Sequence, residues 1–344
     1  MDFTLSKEHE MARQLFKEFA ENEVKPLAQE VDETETFPRE TVEKMAKYGF
    51  MGIPVPKEYG GQGCDTLTYA MCVEELSKVC ATTGVIVSAH TSLCIDPIMT
   101  FGTEDQKKKY VPDLASGRKI GAFGLTEPGA GTDAQGQQTK AVLDGDEWVI
   151  NGSKCFITNG GVASFYVVTA MTDKSQGVKG MSAFLVEAGT PGLSTGNHEN
   201  KMGIRTSNTC DVVLEDCRVP ASALMGAEGE GYKIAMKTLD MSRTWVGCGA
   251  VGIAQRAIDE AVAYGKQRIT FGKPILKNQG LQFMIADMEI RVETARQMVA
   301  HALKLMDAGL PYARESAIAK CYAGDIAVQN ALDAIQMAKL RGAP

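Results

Sequence analysis

The sequence is poor in the patterns that bind metals or form disulfide frameworks. It has only four histidines, which are dispersed without ligand spacing, and no two of its nine cysteines form a C-x-x-C pair. An odd number of scattered cysteines is typical of reduced thiols rather than of disulfides or a zinc site. We therefore expect no bound metal and a cytoplasmic location.

The sequence also lacks the features of membrane and nucleic-acid-binding proteins. Its formal net charge of −7 argues against a surface that binds polyanions. The first residues, MDFTLSKEHEMARQLF, have acids where a signal peptide needs a basic patch and an apolar run. No apolar stretch is expected to approach the roughly 20 residues that span a bilayer. We expect neither a membrane nor nucleic acid as a partner.

What the sequence does have is a helical segment at each end. Residues 1–118 are predicted to be mostly helix, because Met11, Leu15 and Phe19 recur every four residues. Residues 229–344 are predicted to form a helical bundle. The apolar stripe that predicts its long helix consists of Leu281, Met284, Ile285, Met288, Val292, Ala295, Val299 and Leu303.

The middle segment, residues 119–228, has the pattern of a β domain. Its runs WVING, FYVVTAM, MSAFLVEA and TCDVVLED are rich in β-formers and separated by turns. No helix-length segment lies between them to connect parallel strands, so we expect an antiparallel sheet. The predicted fold is α+β: an N-terminal helical domain, a central antiparallel β domain and a C-terminal helical bundle.

One glycine-rich loop, AFGLTEPGAGTDAQG at residues 122–136, could offer backbone N–H groups to an anion. It is not the dinucleotide fingerprint of a βαβ unit, because Pro128 interrupts it and no long helix follows. A β-turn without a ligand is the alternative. The stretch CFITNGG, residues 155–161, favours a ligand, because its aromatic residue can stack on a flat ring while a threonine donates a hydrogen bond.

These two stretches belong to a set of five that resembles the acyl-CoA dehydrogenase family. The others are KMGIRTSNT (201–209), QRITFGKPI (267–275) and AGDIAVQNALDAIQ (323–336). The resemblance runs from the first residue to about Gln336, and SAHTSLC (88–94) makes the short-chain, butyryl-CoA-type members look closest.

The resemblance implies an FAD between the β domain and the helical domains. Thr126 would bond the pyrimidine edge of the flavin, Phe156 would pack on the ring, and Thr158 would bond the nitrogen that accepts hydride. Thr132 would bond pyrophosphate or substrate. The implied cofactor-binding residues within one subunit are Phe123, Leu125, Thr126, Gly131, Thr132, Phe156, Ile157 and Thr158.

The resemblance also implies a homotetramer, a dimer of dimers in which each FAD is gripped by a neighbouring subunit. The residues that match the gripping positions are Arg268, Thr270, Phe271, Gln279 and Gln336. The acyl-CoA would contact Thr132, Asp240, Ser242 and Arg243.

The implied reaction is FAD-dependent oxidation of a short-chain acyl-CoA to the trans-2-enoyl-CoA, with electrons passed to electron-transferring flavoprotein. Removing the α-proton needs a carboxylate base. Relatives place that glutamate in a Y-E-G-T-like run, which this sequence lacks, and a few place it at the position of Ser242. We therefore expect the catalytic glutamate to lie beyond the end of this chain, with the C-terminal domain incomplete after its third helix. A frameshift, an incomplete sequence and a non-catalytic paralogue are the competing explanations.

Other functions remain open at this point. The same fold could serve an enoyl-CoA reductase or an aromatic propionyl-CoA dehydrogenase, and the missing base would suit an inactive acyl-CoA-binding paralogue. Among the remaining polar residues, His90 is interpreted as a hydrogen-bonded helix residue, and Glu74 and Glu75 as a surface pair.

Overall fold

A computed structural model describes residues 4–338, which divide into two compact units. The described parts of residues 1–28, 65–84 and 243–344 form the first unit, and residues 29–64 and 85–242 form the second. The predicted succession of helical, β and helical segments is confirmed. The domain boundaries after residues 118 and 228 stay predictions.

Two of the helices begin at residues whose side chains cap the first turn. The Asp65 side chain accepts the N–H of Thr68, and Thr103 and Gln106 form a reciprocal capping box at the start of another helix. Residues 4–338 contain the α-helices α1 (Lys7–Phe19), α2 (Lys25–Thr34), α3 (Arg39–Lys47), α4 (Thr66–Val79), α5 (Ala81–Ala89), α6 (Asp96–Phe101), α7 (Glu104–Ala115), α8 (Gly231–Gln267), α9 (Gln279–Asp307) and α10 (Ala313–Ala338).

One expected helical stripe is wrong in part. Met11 and Leu15 of α1 are exposed, and Phe16 and Phe19 are the residues of α1 that are buried. Phe19 is thus the one buried member of the expected row, and Phe16, which lies beside that row, makes the other contact with the core. In α9 the buried residues include Met288, Val292, Ala295, Val299 and Leu303, as expected.

The second unit is built around a sheet of eight strands. Its order is β6-β7-β3-β2-β4-β5-β8, with β1 beside β4. The strands of residues 4–338 are β1 (Gly121–Gly124), β2 (Lys140–Asp144), β3 (Glu147–Thr158), β4 (Phe165–Met171), β5 (Met181–Glu187), β6 (Leu193–His198), β7 (Thr209–Pro220), β8 (Leu224–Met225), and the separate hairpin β9 (Ile269–Thr270) and β10 (Lys273–Pro274).

The expected antiparallel arrangement needs one correction. Most pairs are antiparallel, but β1 pairs with β4 in parallel, and β2 meets β4 in parallel at one residue pair. The connection from β1 to β4 contains no α-helix; it consists of the glycine-rich loop and the β2–β3 hairpin. A parallel pair needs only a long connection, and that connection can itself be made of strands.

Two apolar clusters surround the sheet. One includes Trp148 and Phe184, whose rings meet edge to face with centroids 5.2 Å apart. The other joins Phe123 and Leu125, at the end of β1, to Cys94, Ile98 and other residues of the neighbouring helices. The start of the glycine-rich loop is therefore anchored in the core of the second unit.

The expectation that no apolar stretch approaches bilayer length is wrong. The helical run Ala81–Phe101 has 21 residues and a mean hydropathy of 1.3, enough to cross a membrane by length and composition. However, 67% of its most apolar window is buried inside the protein, and a buried core helix passes the same test.

Glu74 and Glu75 are buried, which contradicts the expected surface pair. Arg13 of α1 binds both carboxylates, with nitrogen–oxygen distances of 2.9 Å to Glu74 and 2.8 Å to Glu75. Arg296 of α9 also binds Glu74 at 2.9 Å. The acids of α4 thus connect three helices of the first unit, a role that adjacent positions in one helix do not reveal.

Candidate functional site

The structure brings the two predicted ligand-binding stretches together in the second unit. The backbone N–H of Cys155 donates to the carbonyl of Thr126 at 2.9 Å. Glu127 and Ala130 exchange backbone hydrogen bonds of 3.1 and 3.0 Å, which close a tight turn. A Cβ atom added at Gly129 or Gly131 would meet nothing within 4 Å, so the outer side of this turn is open to a ligand.

Phe156 lies at a β-bulge in the pairing of β3 with β7, which exposes its side chain. The pairing of β3 with β7 shifts register between Lys154 and Ile157, and Phe156 has a left-handed φ of 60°. Such a bulge re-aims a side chain that regular pleating would send to the other face. The Phe156 ring is 63% exposed although it lies within a strand. Thr158, two residues on, is half-buried.

A buried ion pair lies behind the loop. Lys154 is fully buried, and its Nζ contacts the Glu127 carboxylate at 2.7 Å, Gln137 Oε1 at 2.7 Å and the carbonyl of Leu125 at 3.2 Å. Burial lowers the pKa of Lys154 to about 8, although the Glu127 carboxylate acts in the opposite direction. Burial also tends to raise the pKa of Glu127, but the charge of Lys154 and the hydrogen bonds outweigh it and lower the pKa overall.

Sequence reasoning missed Lys154 and Glu127, although the strand pattern contained a signal. Trp148 and Ile150 are buried at alternate positions of β3, and the same period of two places Lys154 on the inner face. A lysine at such a position needs a buried acceptor.

The interpretation of His90 as a hydrogen-bonded helix residue is confirmed. It is buried, accepts the N–H of Gly121 on Nδ1 at 3.0 Å, and contacts the carbonyl of Leu114 through Nε2 at 3.0 Å. An acceptor role for Nδ1 and a donor role for Nε2 define one neutral tautomer. Burial lowers the pKa of His90 to about 4, which keeps the ring neutral.

The loop and the end of β3 fit a flavin. Within residues 4–338 the hydroxyls of Thr126 and Thr158 make no side-chain hydrogen bond, and Thr132 is exposed. Unengaged hydroxyls beside an exposed ring and an open glycine turn form a donor set for a flat polar heterocycle. The side chains of Phe123, Leu125 and Ile157 are buried in the apolar clusters, so their backbones are the parts that can face a ligand.

The residues expected at a neighbouring subunit's cofactor lie in the first unit. Phe271 and Gly272 form the two-residue turn of the β9–β10 hairpin, both with positive φ, and Phe271 is fully exposed. Arg268 and Gln279 are exposed on either side of this hairpin, and Thr270 is half-buried. Gln336 is exposed near the end of α10.

The expected acyl-CoA contacts Asp240, Ser242 and Arg243 lie within residues 240–243 of α8. Asp240 and Arg243 are half-buried, three residues apart on the helix. The Ser242 hydroxyl is buried and donates to the carbonyl of Leu239 at 3.3 Å. Ser242 is therefore used inside its own helix.

Comparison with known proteins defines the class. The family models of the acyl-CoA dehydrogenase N-terminal, middle and C-terminal domains match residues 6–118, 122–217 and 229–342. The chain belongs to the acyl-CoA dehydrogenase family. It is an oxidoreductase, and its cofactor is FAD.

Two of the similar proteins are short-chain acyl-CoA dehydrogenases by name. The chain is 56% identical over 337 residues to the short-chain specific acyl-CoA dehydrogenase of Clostridium acetobutylicum, a match that covers 98% of this chain and 89% of that protein. It resembles the structure of butyryl-CoA dehydrogenase from Megasphaera elsdenii with a TM-score of 0.98 and 44% identity, covering 100% of this chain and 91% of that one.

A third relative comes from structural work on the electron transferring flavoprotein of Acidaminococcus fermentans and flavin-based electron bifurcation. It has a TM-score of 0.97 and 52% identity, and the match covers 98% of this chain and 89% of that one.

The expected truncation of the C-terminal domain is not supported. The family model of that domain matches residues 229–342, so the domain is present. The place of the catalytic glutamate, expected beyond the end of this chain, stays a prediction.

Proposed function

We propose that this protein oxidises a short-chain acyl-CoA, of the butyryl-CoA type, to the trans-2-enoyl-CoA with bound FAD. One observation carries the proposal: the 126–131 turn and the Phe156–Thr158 end of β3 are tied together by the bond from Cys155 to Thr126. The similarity to short-chain and butyryl-CoA dehydrogenases supports the substrate class. The short-chain and butyryl-CoA dehydrogenases among the similar proteins favour oxidation over an enoyl-CoA reductase or an aromatic substrate.

The residues of the second unit would hold the cofactor as follows. Thr126 and Thr158 have hydroxyls available for the polar edge of the isoalloxazine, and Phe156 offers its exposed ring. Gly131 and Thr132 present open backbone and a hydroxyl for the pyrophosphate. FAD, when bound, supplies the acceptor for the hydride that leaves Cβ of the substrate.

Electrons would pass from the flavin to electron-transferring flavoprotein. The similarity to the protein studied with the Acidaminococcus fermentans flavoprotein supports this acceptor. The protein would act in the cytoplasm, which is consistent with nine cysteines that are all free.

The assembly would be a homotetramer in which Arg268, Phe271, Gln279 and Gln336 reach the FAD of a neighbouring subunit. Fully exposed aromatic residues are costly in water, and Phe271 at the hairpin tip is one. Phe283 and Ile290 of α9 are exposed seven residues apart, on one helix face. The exposed face of α10 that would pair with another copy carries Val328, Leu332 and Ile335.

A visible spectrum of the purified protein tests the proposal. We expect flavin bands that bleach without oxygen when butyryl-CoA is added, and bleach less with hexanoyl-CoA or phenylpropionyl-CoA. Bleaching by phenylpropionyl-CoA alone would instead indicate the aromatic substrate. A yellow protein that no acyl-CoA bleaches would favour an inactive paralogue, and a colourless protein that takes up no FAD would refute the proposal.

A further inference from the structure

The buried pair of Lys154 and Glu127 is connected to both sides of the proposed flavin loop. Lys154 belongs to β3, which continues into Phe156 and Thr158, whereas Glu127 belongs to the turn that follows Thr126. Their nitrogen and oxygen are 2.7 Å apart, with both side chains almost fully shielded from solvent. No other ion pair within residues 4–338 is so deeply buried on both sides.

Each member of the pair also holds backbone atoms of the loop. The Lys154 ammonium donates to the Leu125 carbonyl at 3.2 Å, immediately before Thr126. The Glu127 carboxylate accepts the N–H of Gln138 and, at 3.0 Å, that of Thr139, which fixes the point where the loop rejoins the sheet. The pair therefore sets the path of the loop at its start, at its turn and at its end.

The surroundings leave little freedom for another arrangement. A Cβ atom at Gly124 would lie 3.2 Å from Lys154 Cγ, so the lysine stem is packed against β1. Gln137 Oε1 accepts from both Lys154, at 2.7 Å, and the Thr169 hydroxyl, at 3.0 Å. An apolar residue in place of Lys154 would strand the Glu127 carboxylate and two oxygen acceptors away from water.

We propose that Lys154 is a positioning residue for FAD: its ammonium, paired with Glu127, holds the 125–131 loop in the shape that binds the flavin. This inference rests on the proposed function, because it assumes that the loop binds FAD. It assigns to the pair a role in cofactor affinity, beyond a contribution to folding.

The inference has a pH consequence, because a neutral Lys154 would leave the Glu127 carboxylate uncompensated behind a loop that receives an anionic pyrophosphate. FAD affinity should therefore fall as pH rises through about 8, where Lys154 loses its proton. The charged or titratable groups that act on Lys154 are Glu127 and the neighbouring Cys155 thiol, whose own pKa is raised by burial and by Asp211 and Glu199. A Cys155→Ala variant lacks the thiol, so the pH dependence that remains in it belongs to Lys154.

The test measures FAD release from the holoprotein by flavin fluorescence for wild type, Lys154→Met and Lys140→Met. Lys140 lies exposed on β2 of the same sheet, so it provides the matched control. Losing a charge-assisted hydrogen bond corresponds to about tenfold weaker FAD binding or more. We expect that loss, with altered flavin absorption bands, for Lys154→Met and no change for Lys140→Met.

The pH dependence of wild type and Cys155→Ala keeps the test decisive if Lys154→Met does not fold. Both should bind FAD progressively more weakly between pH 7 and pH 10. Flat affinity over that range, or a Lys154→Met protein that is less stable yet binds FAD like wild type, would overturn the inference alone. A wild-type protein that binds no FAD would overturn the proposed function as well.

Discussion

His90 links the helical run before β1 to the start of β1 itself, and its protonation should weaken the fold. Its pKa in the folded protein, about 4, lies below the ordinary value of 6.5. The contribution of neutral His90 to the free energy of unfolding is therefore full above pH 6.5. It is lost as pH falls from 6.5 to 4, because the unfolded chain takes up the proton first.

Over this pH range, we expect the free energy of unfolding to fall by about 3 kcal/mol more for wild type than for His90→Asn. Urea unfolding at several pH values measures it, with His301→Asn as the control because His301 is exposed. Equal pH slopes for wild type and His90→Asn would contradict the neutral, buried ring.

Thr158 offers a test of the cofactor site at one hydroxyl. Thr158→Val keeps the shape of the side chain and removes its hydrogen-bonding capacity. We expect a shifted flavin absorption spectrum and slower reduction by butyryl-CoA, by an amount that corresponds to about 1 kcal/mol. Thr172→Val is the control, because Thr172 is bound to the carbonyl of Gly180 at a different part of the sheet. An unchanged spectrum and rate would remove Thr158 from the site.

At the scale of elements, the first unit depends on charges that cross between helices. Arg296→Met would leave Glu74 of α4 with Arg13 as its remaining partner in the network described above. The Arg296 side chain is 22% exposed, so we expect a loss of about 2 kcal/mol, below that of a fully buried pair.

Thermal unfolding of Arg296→Met and Arg314→Met checks this expectation. Arg314 pairs with Glu315 but is 80% exposed, so its replacement should cost little. Similar melting temperatures for the two variants would show that the α4 acids do not rely on Arg296.

Elements and motifs differ in how far the sequence predicts them. The long helix α9 could be placed because its apolar spacing is local, and the two flavin-loop stretches could be recognised as motifs. The parallel β1–β4 pair could not be predicted, because nothing local states which strand a short run will join. Glu127 and Lys154 were missed, and Glu74 was wrongly placed on the surface, for a related reason: the partners of buried charges are distant in sequence.

At the scale of the whole molecule, cofactor binding and assembly are predicted to be coupled through Arg268. Arg268→Ala should weaken FAD retention and tetramer formation together, because one guanidinium would serve both. Size-exclusion chromatography with light scattering and the ratio of flavin to protein absorbance measure the two effects. Lys273→Ala, an exposed change on the same hairpin, is the control. Lost FAD in an intact tetramer would contradict the placement of Arg268 at a shared site.

The way the first unit is assembled from three stretches of chain has a consequence for its synthesis. Thr66 bonds Asp307, and Arg296 reaches back 222 residues to Glu74. At about 5–20 residues per second, a ribosome needs on the order of 10–40 s to deliver the second partner after the first. The side of α4 that packs against α9 therefore stays uncovered on the nascent chain after the residues of the second unit have emerged. We therefore expect this interval to favour aggregation of the nascent chain.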